Sequence, residues 1–160
     1  MNTNIIFLKP RIATLVNDFL TLQQPLLFNL VSSIGSPIHL LFPQLFSENV
    51  NLYSDVFSQN DIEGEIYYSY KSNKAQSFLE IAAYKAIGVE VSSIYELRQV
   101  LGHGISGKSI IVSGPSKDNS FLLLGIQQGC LIAIDNFDEL LRIEAIIKKC
   151  KISNYYFNFI

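Results

Sequence analysis

The sequence predicts an α/β fold in which a parallel sheet is covered by helices, and three observations predict it. Short runs rich in Ile, Val and Leu recur from residue 62 onward, with strand starts about 20 to 24 residues apart. Between them lie segments with apolar residues at helical spacing, each opened by a capping residue or closed by glycine. The apolar runs are continuous rather than alternating, as in strands buried on both faces. Two architectures satisfy this pattern, an open doubly wound sheet and part of a (β/α)8 barrel. No GxGxxG or GxxxxGK[ST] turn follows any strand, which weighs against the nucleotide-binding open sheets. A full barrel needs about 250 residues, whereas this chain has 160.

Residues 1–60 stand apart as a helical and extended segment preceding the barrel-like part. "PRIATLVNDFLTLQQPLLFNLVSSIG" reads as one or two helices broken near Pro25, "SPIHLLF" as extended chain, and residues 43–59 as a short helix. Residues 61–160 carry the repeat. "IEGEIYYSYK" is an aromatic strand. Asn73 can cap a helix whose apolar residues Ala75, Phe78, Leu79, Ala82, Ala83, Ala86 and Ile87 share one face, with Gly88 as its stop. "GVEVS" is the second strand, and Ser93-x-x-Glu96 a capping box for a helix ending at Gly102. "SIIVSG" follows, then a helix from about Lys117 to Gln128 closed by Gly129. "CLIAI" leads through Asp135 and Asn136 into a helix reaching Lys149, and "NYYFNFI" reads as the start of a fifth unit.

Composition limits the function classes. The 12 basic and 14 acidic side chains give a formal charge of −2 and form no block, so neither nucleic acid nor an anionic membrane surface is expected as a partner. "FLLLGI" at 121–126 falls far below the ~18 residues of a membrane span. "IIFL" near the start lacks the basic segment of a signal peptide. Cys130 and Cys150 show no CxxC spacing and no histidine cluster, and read as reduced thiols of a cytoplasmic protein. The apolar load is high, 49% hydrophobic against 16% charged, where about 25% charged is usual. Such a chain is expected to present apolar surface to a partner.

"SPIHLLF" at 36–42, "YYSYKSN" at 67–73, "GVEVSSIYEL" at 88–97, "IIVSGPSK" at 110–117 and "GCLIAIDNFDEL" at 129–140 occur in one order and spacing. In that order the chain resembles the fold-type III pyridoxal-phosphate decarboxylases, the ornithine, diaminopimelate and arginine enzymes that share a barrel with alanine racemase. The resemblance implies a partial TIM-type barrel, pyridoxal 5'-phosphate as cofactor, and a basic or diamino acid substrate. It also implies that Lys71, in the Y-x-x-K-x-N motif, carries the cofactor covalently, and that Glu90 is the acidic residue beside it. Strand alternation places Lys71, Ser69 and Tyr67 on one face and Tyr68 and Tyr70 on the other. If helices cover the Tyr70 face, Lys71 points into the barrel at a strand's C-terminal end, where barrel enzymes keep their chemistry. A desolvated lysine there can lose its proton and attack an aldehyde. Read locally, a lysine ending a strand is a solvated terminus and Glu90 a carboxylate paired with a neighbouring cation.

Other positions carry weaker signals. Glu96 matches the family but is explained by its capping box. Ser113, Gly114 and Lys117 lie on the loop after the third strand, on the active side of a barrel, though a strand-to-helix turn also favours such residues. Asp135 reads as a helix cap, and His39 and His103 as structural. In the family a later half supplies a histidine over the pyridine ring, a phosphate-binding glycine loop and an acid at the ring nitrogen, and a β domain completes the site across a dimer. None of these has a counterpart before Ile160, and Asn158 stands where an arginine is usual. The expectation is a decarboxylase N-terminal domain that is truncated and inactive alone. It would be completed by an oligomer partner or a complementing C-terminal half. The alternative is a non-catalytic regulatory or docking protein derived from such an enzyme.

Overall fold

A computed structural model of the chain describes residues 8–151. The strand expected in "NYYFNFI" and Asn158 within it lie outside the described residues. The chain divides into two compact units after Leu41. In the first, α1 (Leu8–Ile34) runs through Pro25 without the break that the sequence allows, since one proline removes a single hydrogen bond from a 27-residue helix. Gly35, in the left-handed region with its amide on the Val31 carbonyl, ends the helix.

The second unit holds α2 (Pro43–Gln59), β1 (Tyr67–Ser69), α3 (Gln76–Tyr84), β2 (Gly88–Val91), α4 (Ile94–Gly102), β3 (Ile110–Val112), α5 (Asn119–Gln128), β4 (Leu131–Ile132) and α6 (Phe137–Cys150). The strands form one parallel sheet in the order β1-β2-β3-β4. Sequential order with no reversal is the order of a (β/α)8 barrel, whereas a doubly wound sheet reverses at a switch point. In register, Ser69 lies beside Glu90, Glu90 beside Ile111 and Ile111 beside Leu131. Alternate residues Val89, Val91, Ile110, Val112 and Ile132 are buried. They face Leu79, Leu97, Val100, Leu122, Ile126 and Ile143 of the helices, which form one core with them. The opposite face of the sheet, carrying Ser69, Glu90, Ile111 and Leu131, is only half-buried.

Several boundaries differ from the sequence reading, the strands being shorter throughout, and three of the differences have a visible cause. The first strand is three residues rather than ten, because pairing with β2 begins at Gly88 opposite Tyr67 and the chain turns into a 3-10 helix at Tyr70–Ser72. The helix α3 ends at Tyr84, not at Gly88. Its last turn is closed by the Ile87 amide on the Ala82 carbonyl, and Ala86 takes a left-handed φ of 53°. Gly88 is needed in the sheet instead, where a Cβ would come within 2.3 Å of the Tyr67 ring. Asn136, not Asp135, caps α6, its side chain accepting from the Glu139 amide at 2.9 Å.

Candidate functional site

Lys71 lies two residues past the end of β1, in the middle of the 3-10 turn Tyr70–Ser72, and its place depends on aromatic packing behind it. Tyr68 stacks obliquely on Phe46 of α2, with ring centroids 4.7 Å apart, and meets Phe78 of α3 edge-on at 6.0 Å. Tyr70 is buried, and its hydroxyl donates to the Lys74 carbonyl at 3.1 Å. The Tyr68 hydroxyl donates to the Asn73 carbonyl at 2.6 Å, and the Ser72 hydroxyl to the Ser69 carbonyl at 2.7 Å. The Asn73 side chain accepts from the Ala75 amide at 3.0 Å. With Tyr68 and Tyr70 packed inward, Lys71 is left on the open side of the sheet, 63% exposed rather than desolvated, its Nζ 3.7 Å from Glu90 Oε1.

Glu90 sits on β2 with its side chain 16% exposed. Three hydroxyls from adjacent strand ends converge on it. Ser69 donates to Oε2 at 2.5 Å, Ser92 donates to Oε1 at 3.1 Å, and Ser113 also donates to Oε1. Burial alone pushes the Glu90 carboxyl up. The hydrogen bonds from Ser113 and Ser69, the Lys71 charge and the Ser92 hydroxyl outweigh it and hold the carboxyl below the usual range. Glu90 is thus an anion that fixes an ammonium, not a proton donor at neutral pH.

The depressed carboxyl has a stability consequence whose sign is determined. The unfolded chain binds this proton more tightly than the native one, so the contribution is present above the ordinary glutamate range and disappears as pH falls through the native value. Glu90→Gln is expected to cost on the order of 1–2 kcal/mol at pH 7, and urea unfolding should show this gap from wild type narrowing toward pH 3. An equal gap at both values would refute the assignment.

Ser113 lies at the site, whereas Lys117 of the same loop does not. Lys117 is buried and turned away into an ion pair with Glu139. Only half of the capping box forms: the Ser93 hydroxyl accepts from the Glu96 amide at 3.3 Å, while the Glu96 carboxylate receives the Ser92 amide at 2.8 Å instead of that of Ser93 and pairs with Lys74. Asp135 accepts from the Asn136 side chain at 3.5 Å, and His103 accompanies the end of α4 with Nδ1 2.8 Å from the Gln99 carbonyl. Sequence reasoning passes over Ser92 and Lys74, and places Ser69 on the face of Lys71 without giving it a role. The serines carried a signal, since each lies two residues from Lys71 or Glu90 on a strand end and so shares their face. Among the described residues no group of three or more His, Cys, Asp or Glu could hold a metal ion, and no helix is long and apolar enough to cross a membrane.

Residues 45–154 match the profile of the pyridoxal-dependent decarboxylases' pyridoxal-binding domain. An uncharacterized protein of Sinorhizobium fredii is 34% identical over 133 residues, 83% of this chain and 29% of that protein. The diaminopimelate decarboxylase of Archaeoglobus fulgidus is 27% identical over 133 residues, 83% of this chain and 31% of its own length. The chain thus spans about a third or less of these relatives. Among solved structures, diaminopimelate decarboxylase from M. jannaschii superimposes with a TM-score of 0.72 at 23% identity, over 82% of this chain and 31% of that one. The lysine/ornithine decarboxylase from Vibrio vulnificus, complexed with putrescine, gives 0.66 at 17%, over 77% and 33%. Both show the fold, a partial TIM-type barrel. The match over 45–154, reinforced by this shared architecture, makes the chain a member of the pyridoxal-dependent decarboxylase family, corresponding to the N-terminal portion of its pyridoxal-binding barrel.

Proposed function

We propose that the chain supplies the cofactor-bearing lysine of a pyridoxal-phosphate-dependent decarboxylase acting on a basic or diamino acid. The observation that carries this is the Lys71 amine standing 3.7 Å from the Glu90 carboxylate at the C-terminal ends of parallel strands. The donor set fits the group: a primary amine can condense with the cofactor's aldehyde, its nitrogen replacing the aldehyde oxygen, which leaves as water. When bound, pyridoxal phosphate withdraws electrons from an amino acid's α-carbon so that the carboxylate departs as CO2. Lys71 would hold the cofactor, and Glu90, anchored by three hydroxyls, would orient the lysine. The substrate class is supported by the relatives named as diaminopimelate and lysine/ornithine decarboxylases.

The half-buried face of the sheet supports a second element of the reading. A barrel closes by pairing its outer strands and filling its interior, so β1 and β4 and the face bearing Ile111 and Leu131 are served by further strands. On this reading turnover needs the remainder of the barrel, supplied by the same polypeptide or by a complementing chain. The two free cysteines suit a reducing, cytoplasmic setting.

The test is to incubate the purified chain with pyridoxal phosphate, reduce with borohydride, and locate the adduct by peptide mass spectrometry. One adduct at Lys71, absent from Lys71→Ala, is expected. Labelling scattered over several lysines, or none, would overturn the reading and turn attention to a docking role without cofactor.

A further inference from the structure

From the geometry behind the candidate site we infer that Lys74, through its ion pair with Glu96, is a positioning residue that fixes the Lys71 turn against the Glu90 strand. This rests on the reading of Lys71 as the cofactor-bearing lysine.

Lys74 Nζ lies 2.7 Å from Glu96 Oε1. The two ends of this contact differ: the Lys74 side chain is 58% exposed, the Glu96 side chain 6%. An exposed ion pair holds little, but a buried carboxylate left without its cation is strongly disfavoured, so the burial of Glu96 gives the contact its strength. The Glu96 hydrogen bond, and after it the Glu96 charge, raise the Lys74 ammonium above the ordinary lysine value. Glu96 stands in the first turn of α4 and cannot move without the helix.

Glu96 reaches both partners of the proposed site. Through Oε1 it holds Lys74, three residues after Lys71, and the same stretch of backbone is gripped at the Lys74 carbonyl by the Tyr70 hydroxyl. Through Oε2 it accepts the Ser92 amide, and the Ser92 hydroxyl donates to Glu90. A polar path thus runs from Lys74 through Glu96 and Ser92 to Glu90 and back to Lys71. Removing Lys74 opens the path at its exposed end, while the aromatic packing of Tyr68 and the core remain.

The test compares the 160-residue chain with Lys74→Met and Lys74→Arg. Hydrogen exchange is followed on the peptide covering residues 66–76, and the rate of borohydride-trapped adduct formation at Lys71 is measured with pyridoxal phosphate. In Lys74→Met, exchange of the 71–75 amides is expected to rise about fivefold and trapping at Lys71 to slow by a similar factor, with exchange in α5 and α6 unchanged. Lys74→Arg, which keeps the charge, should restore both. Wild-type rates in Lys74→Met, a faster turn with unaltered trapping, or failure of arginine to rescue would each overturn the inference. If the wild-type chain takes no adduct at Lys71, the cofactor reading itself fails, and the exchange comparison still decides whether Lys74 fixes the turn.

Discussion

Lys117→Met is expected to destabilise the second unit by about 3–5 kcal/mol. Lys117 and Glu139 have side chains with no solvent exposure, and Nζ stands 2.9 Å from Oε1. Neither Glu139 oxygen has an aligned hydrogen-bond donor, so charge is what holds the carboxylate. Lys117 Nζ also donates a hydrogen bond to the Gly114 carbonyl, at 2.5 Å. Methionine would fill the space and leave the carboxylate buried beside an Arg142 guanidinium 3.9 Å away and the amino end of α6, which compensate only in part. The double variant Lys117→Met/Glu139→Leu removes both charges and should recover most of the loss. Urea denaturation of the three proteins decides: a single-variant cost under about 1 kcal/mol, or a double variant no better than the single, would refute a pair held together by mutual need. The pair also matters to the site, because it pins the Gly114 carbonyl next to Ser113, whose hydroxyl serves Glu90.

Lys117 marks where sequence reasoning stops being sufficient. The alternation of four strands and helices was legible because each helix has a buried stripe and each strand a continuous apolar run. The Ser93 cap and the αL glycine at 129 were legible because they are local. A lysine on a barrel's active-side loop, by contrast, points to solvent or into the core according to a glutamate 22 positions later on another helix, which no local pattern encodes. Glu96 fails in the same way: its capping spacing is real, yet its carboxylate leaves the Ser93 amide for Ser92 and takes up Lys74. Gly88 follows a helical pattern and reads as its stop, while the Tyr67 ring across the sheet determines its identity. The Lys71 turn shows the remaining limit. Alternation places its lysine on the open face, but it reaches Glu90 through a 3-10 turn that Tyr68, Tyr70, Ser72 and Asn73 hold by side-chain to backbone bonds.

Gly107→Ala should be the most damaging single methyl addition among the described glycines, costing about 3 kcal/mol or more. Gly107 opens the 3-10 turn leading into β3, and a Cβ there would lie 1.9 Å from the Gln128 carbonyl oxygen and 2.7 Å from its carbon. The obstacle is backbone at the last turn of α5, which no side-chain rotation relieves. Either the turn retreats, dragging Ile110 from the core, or α5 does, exposing Ile126. Gly102, five positions earlier at the end of α4, provides the comparison. A Cβ there meets nothing within 4 Å and its φ is not left-handed, so Gly102→Ala should be neutral or stabilising by up to about 1 kcal/mol through the unfolded chain's lost freedom. Thermal unfolding of the two variants side by side separates the explanations. Similar shifts would mean that chain stiffness governs both glycines, whereas a large fall for Gly107→Ala alone locates the cost in the close approach of α5 to the turn before β3. Because β3 delivers Ser113 to Glu90, a second-site revertant of Gly107→Ala that restores folding but leaves the turn displaced should, on the proposed reading of Lys71 as the cofactor-bearing lysine, take up pyridoxal phosphate less selectively there than the wild-type chain.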